Sequence, residues 1–212
     1  MDALNQISTT LALTMGLSWA SGINLYATLF TLGYLANTGN INLPADLQVV
    51  ANPAVMGAAG LMYWIEFFAD KMPGVDTGWD AIHTFIRIPA GAMLAAGAVG
   101  DLDPAVEIAA AILGGGLAAG THATKAGTRV LINSSPEPFS NWLASIGEDI
   151  AVVGGVWACI NHPLLFLMAL ALFILLMIWL LPRIWAGVKR IFRFITGLLR
   201  NEPRPSGLNS PQ

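Results

Sequence analysis

Charge is scarce in this chain. Asp, Glu, Lys and Arg make up 11% of its 212 residues while 55% are hydrophobic, against roughly 25% charged in a soluble domain. That deficit excludes an ordinary water-soluble globule. Cysteine is almost absent: Cys159 stands alone in an apolar stretch, so no intrachain disulfide can form and the redox compartment is not legible. The opening residues, MDALNQISTTLALTMG, lack the basic region of a secretory signal and run on into apolar sequence, which predicts a first helix that is retained. A net charge of -3 argues against a nucleic-acid partner. No HExxH or CxxC motif occurs, no Gly-Lys-Ser/Thr follows Gly114-Gly115-Gly116, and no Ser-His pair sits in a recognisable setting. An enzyme is therefore the less expected class, although acidic pairs such as Glu148-Asp149 leave metal-assisted chemistry open. No cofactor can be named.

Long apolar runs are what the sequence has instead. Leu164 to Leu181, LLFLMALALFILLMIWLL, carries no charge and at 1.5 Å per residue crosses most of a hydrocarbon core of roughly 30 Å. Hydropathy and breaker residues predict an all-α integral membrane protein with spans at about residues 8–36, 52–70, 80–100, 105–129, 140–160 and 163–182. Five turn-rich loops separate them, at Asn37 to Pro44, from Pro73-Gly74, at Asp101 to Pro104, at Asn133 to Pro138 and at Asn161 to Pro163. With six spans and both termini inside, all ten basic residues fall on one side, as the positive-inside rule asks. The expected location is the cytoplasmic (inner) membrane, with residues 1–182 forming the transmembrane domain.

After Pro182, residues 183–200 mix five bases with Trp185, Ile191, Phe192 and Phe194; this predicts an amphipathic helix at the inner interface, drawn to anionic headgroups of membrane lipids or acting as a topology anchor. Residues 201–212 are polar and Pro/Ser-rich and read as a disordered tail. Two internal similarities compete. Pro73 to Trp79 matches Pro136 to Trp142 in spacing, and Ala20 to Asn24 matches Ala118 to His122, the latter implying inverted repeats.

Ionisable side chains at membrane depth cost at least roughly 2.5–3.5 kcal/mol each, so they tend to be paired and functional. Here they cluster at one end of the spans. Glu66 and Asp70 share a face of span two, and Asp80, His83 and Arg87 recur at spacings of three and four in span three. His122, Lys125 and Arg129 do the same in span four, and Glu148 and Asp149 lie two turns into span five. These segments predict one polar vestibule facing the cytoplasm, in which Arg87 pairs with Glu148 or Asp149, or next with Glu66. Asp76, Asp80, Lys71 and Glu137 read as solvated loop charges. Glu66, Asp70, His83, His122, Glu148 and Asp149 are available to a divalent cation, whereas Arg87, Lys125 and Arg129 favour an anion; neither prevails. In span one, Ser21, Asn24 and Thr28 share a face, suited to helix packing or, for Asn24, to a solute path.

The stretches SGINLYATLFTLGYL, EFFADKMPGVDTGWDAIHTFIRIPAGA, GTHATKAGTR and SPEPFSNWLASIGED resemble the family of small prokaryotic membrane proteins catalogued as domain of unknown function 4126, over about residues 8–180. The resemblance implies membrane location and transfers no catalytic residue. Two classes of function remain: a transporter or permease for a small polar or ionic solute, and a non-transporting scaffold or headgroup-binding protein. The small residues on the spans also permit a homo-oligomer.

Overall fold

A computed structural model of the chain describes residues 2–72, 74–100, 102–134 and 138–199. Among these residues the chain forms six α-helices and one short 3₁₀ turn: α1 (Asp2–Asn37), the turn (Ala45–Ala51), α2 (Pro53–Ala69), α3 (Val75–Val99), α4 (Pro104–Asn133), α5 (Pro138–Asn161) and α6 (Pro163–Leu199). The predicted order of helices holds. Their ends follow from local chemistry. Asn52 and Asp103 cap α2 and α4 by accepting from the amides of Ala54 and Ala105 at 2.9 and 2.8 Å, each followed by a proline at the first helical position, where a missing N–H costs nothing. Gly74 and Gly100 turn the chain with φ of 86° and 62°, backbone that other residues rarely adopt.

Four helices, α3 to α6, are long and apolar enough to cross a membrane. They and the exposed apolar side chains on their outer faces, such as Phe85, Ile112, Ile150 and Leu172, make this an all-α membrane protein. Helix α2, at 17 residues, is shorter than those four, and α1 carries Thr14, Ser18, Ser21, Asn24 and Thr28 along its buried surface. The reason α1 tolerates them is position: it packs against every other helix and the 3₁₀ turn, at the centre of the bundle.

Close approach of α1, α3 and α4 depends on glycine. A Cβ on Gly22 would lie 2.6 Å from the Ala118 carbonyl, and one on Gly114 would lie 2.3 Å from the Ala95 Cβ. In the space so created, Ser18 donates to the Gly91 carbonyl at 3.1 Å and Ser21 to the Arg87 carbonyl at 3.4 Å. Cys159 is buried among Leu13, Leu17 and Phe166 in the main apolar cluster. Helix α6 continues through Pro182, so the basic segment expected beyond that residue is the C-terminal part of the same helix as far as Leu199. The polar tail at 201–212, like Glu137, lies outside the described residues.

Candidate functional site

The centre of the site is a break in α1. Asn24 leaves helical geometry (φ -148°, ψ 100°) in the middle of an otherwise continuous helix. Its side chain then does the work of a cap: Oδ1 accepts from the Ala27 amide at 2.9 Å, starting the second half of α1 as an N-cap residue does. The break also frees the Ile23 carbonyl, which takes a new donor, the Lys125 ammonium, at 3.1 Å. The other end of the Asn24 amide donates to Asp149 Oδ1 at 3.2 Å.

Around this break lies a network of three cations and four carboxylates. Arg87 on α3 reaches Glu66 on α2 through Nη2 at 2.5 Å and Asp80 through Nη1 at 3.1 Å. Lys125 on α4 lies 2.9 Å from Asp70, 3.4 Å from both Glu66 and Glu148, and 3.7 Å from Asp80. Arg129, one turn further, grips Glu148 on α5 with Nη2 and Nε at 2.7 and 3.3 Å. Its Nη1 donates to the Asn141 side chain at 2.5 Å and to the backbone carbonyls of Asp70 and Asn141. The spacing of four between Lys125 and Arg129 places both on one face of α4, and the spacing of seven between Asp80 and Arg87 does the same on α3.

Both histidines are hydrogen-bonding links. Arginine can only donate, so His122 Nδ1 accepts from Arg87 at 3.1 Å, and the ring proton sits on Nε2, facing the Asp80 carbonyl at 3.0 Å and Thr84 at 2.8 Å. His83 donates from Nδ1 to the Trp79 carbonyl at 2.9 Å, stacks on the Trp79 ring, and shares a hydrogen bond with the Tyr26 hydroxyl at Nε2 at 3.0 Å. Lys71, in the turn after α2, lies over the Phe67 ring and donates to Ser145 at 3.3 Å. Burial pushes its ammonium below the ordinary value, against the pull of Asp149 and Asp70.

Glu66, Asp70, Arg87, His122, Lys125 and Glu148 thus belong to one bonded cluster, Asn24 and Asp149 join it at the break, and His83 stands beside it on Tyr26. Three expectations change. Arg87 pairs with Glu66 and Asp80 rather than with α5, because α5 packs on α1, α4 and α6, and its Glu148 is taken by Lys125 and Arg129. Asp76, Asp80 and Lys71 are buried, not solvated; Asp76 holds the amides of Gly74 and Thr77 and the side chain of Asn133. The vestibule is filled by its own charges, with Glu148, at 20% side-chain exposure, the most open member of the ion-pair network. A cavity of about 320 Å³ reaches Glu148, Lys125 and Ile23 between α4 and α5, and another of about 490 Å³ reaches His122 and Thr84 beside α6.

Among the described residues no group of three or more His, Cys, Asp or Glu side chains is placed to hold a metal ion; the carboxylates converge on Lys125 and the arginines, and both histidine rings are committed. Sequence reasoning placed Arg129 among the bases of the vestibule and left Asp80 as a solvated charge, and it did not assign Asn141 or Tyr26 to the site. The regular spacing of Asp80 and Arg129 from their neighbours was a signal, whereas Asn141 offered none. A family model described as Domain of unknown function (DUF4126) matches residues 11–183. No curated protein and no solved structure matches the chain.

Proposed function

The chain belongs to the DUF4126 family, whose description assigns no activity, and from its own site we propose that it is a small transporter or permease that moves a small polar or ionic solute. The observation that carries this reading is the break at Asn24, set at the level of the buried charge network. Non-helical backbone at membrane depth is tolerated only where protein or a water-filled path satisfies it. Transporters place such discontinuous helices at their binding sites, with freed carbonyls as ligands. In this reading six spans cross the cytoplasmic membrane with both termini inside, Glu148 is the entry side of the site, and Glu66, Asp70, Arg87 and Lys125 form its floor. The match of residues 20–24 to 118–122 fits an inverted relation of α1 and α4, whose Gly22 and Ala118 are in contact.

The test is flux. Purified protein in proteoliposomes, challenged with a panel of small cations, anions and zwitterions, should move one class faster than protein-free vesicles, and Asn24→Leu should abolish that flux in protein that remains folded. A second reading has its own support in the C-terminal part of α6, where Lys189, Arg190 and Arg193 accompany exposed Trp185, Phe192 and Phe194. Native mass spectrometry that retains anionic lipid, with no flux for any member of the panel, supports a headgroup-binding scaffold instead.

A further inference from the structure

Asp149 is the odd member of the site. Glu66, Asp70, Asp80 and Glu148 each face a Lys or Arg nitrogen; Asp149 forms no ion pair with any described residue. Its direct partners are neutral, the Asn24 amide at Oδ1 and the Tyr63 hydroxyl, and Oδ2 is buried without a hydrogen bond of good geometry among the described residues. The groups that face it are the Tyr63 hydroxyl and the Asp70 carboxylate from α2, Lys71 from the turn that follows, and Lys125 from α4. Glu148 is its neighbour on α5. Helix α1 offers only Asn24, and α6 meets this level with the Phe173 ring, which lines the cavity shared with Glu148 and Ala151.

We propose that Asp149 is a reversible proton-binding site, that Oδ2 takes the proton, and that its charge sets how firmly Asn24 holds the break in α1. A carboxylate without a counter-ion inside a bundle gains by becoming neutral, whereas the four paired carboxylates lose their ion pairs if they do. The proton comes from the aqueous phase and forms one O–H bond at Oδ2; nothing else is consumed. While Asp149 is ionised, the Asn24 Nδ2–H bond to Oδ1 is charge-assisted and about twice as strong as a neutral one. Proton uptake weakens that bond at the residue that also caps the second half of α1, so the two halves become free to move. As the coupling ion of a transporter, the proton presupposes the transport reading; as a binding site it stands alone.

Infrared difference spectroscopy of the full chain in phosphatidylcholine nanodiscs, cycled between acid and alkaline buffer, tests the proposal. The wild-type acid-minus-alkaline spectrum should contain a protonated-carboxyl C=O component that is missing from the Asp149→Asn spectrum, where the bands of the other carboxyls remain. Asn24→Ala removes the donor to Oδ1 and should move that band without abolishing it, a check that survives if Asp149→Asn fails to fold. Carboxyl difference spectra that are identical in the wild type and Asp149→Asn, or a component unmoved in Asn24→Ala, overturn the proposal. Hydrogen exchange at the amides of residues 23–28, corrected for intrinsic rates, should be faster in the proton-bound form and fast at every pH in Asp149→Asn; equal rates in the two forms refute the coupling to α1. None of these signals depends on flux, so a protein that moves no solute yet titrates at Asp149 loses only the transport reading.

Discussion

The pairing of Arg87 with Glu66 can be tested by a double-mutant cycle, Arg87→Met with Glu66→Gln. Both side chains have no exposure and approach to 2.5 Å. At an effective dielectric of about 20 that separation corresponds to about 6–7 kcal/mol of direct attraction, most of it offset by the cost of taking both ions out of water. Removing one partner leaves the other buried and unpaired, so each single variant should lose about 3–5 kcal/mol. The double variant should lose less than the sum of the singles, by about 1–3 kcal/mol. Denaturant unfolding in detergent micelles, followed by tryptophan fluorescence, measures all four corners of the cycle. The parallel cycle with Glu148→Gln should give a clearly smaller coupling, since Glu148 is held by Arg129 and Lys125. Additive losses for Arg87 and Glu66, or a coupling to Glu148 of equal size, refute the assignment of partners.

Glycine contacts give a paired prediction in the same assay. Gly22→Ala places a Cβ 2.6 Å from the Ala118 carbonyl and should destabilise by about 1–3 kcal/mol, whereas Gly116→Ala meets nothing within 4 Å and should be neutral or stabilise by about 0.5–1 kcal/mol. With Cys159 replaced by alanine, a small polar thiol reagent should label Glu148→Cys quickly and His122→Cys slowly, because His122 is 2% exposed; equal rates mean that the site is open rather than filled. Reporter fusions at either end should be active in the cytoplasmic orientation, and a C-terminal fusion active only outside overturns the proposed topology.

How far the sequence carried the reading differs between elements. Helix order was legible because each boundary has a chemical marker, such as Asn52 before Pro53 or Asp103 before Pro104. The convergence of charge was legible because spacings of three and four line up one helical face. The identity of partners was not: Arg87 has acids available on three helices, and which is in reach depends on α5 lying on the α1, α4 and α6 side of the bundle. The depth of Asp80 and Asp76 was misjudged because they follow a Pro-Gly turn, which resembles a solvated loop until α4 folds over it and Asn133 meets Asp76 at 2.7 Å. Asn24 was recognisable as a polar residue in an apolar setting, but nothing local distinguishes a packing asparagine from one that caps a broken helix. The deciding partner, Lys125, lies 102 positions from the Ile23 carbonyl that it satisfies.

A purely structural origin for the charges makes a prediction that can be set against a functional one. Buried ion networks are poor stabilisers: well-packed apolar replacements of similar volume are often neutral or stabilising, by about 1–4 kcal/mol. Here Lys125 lies within reach of five oxygens, four from carboxylates and one from the Ile23 carbonyl, an arrangement no packing requirement demands. Replacing Glu66 and Arg87 together by methionine, with Asp80→Asn to remove the second acid facing Arg87, keeps volume and leaves Lys125, Arg129, Asp70 and Glu148 balanced two against two. The expected protein unfolds at least as late as wild type, and flux for whichever solute the proteoliposome panel identifies falls to the level of protein-free vesicles. If the triple variant is as active as wild type, the charges at Glu66, Arg87 and Asp80 are incidental to function. If it cannot be folded while the Glu66→Gln single variant can, they are the framework of the bundle and the site is confined to Asn24, Asp149 and Glu148.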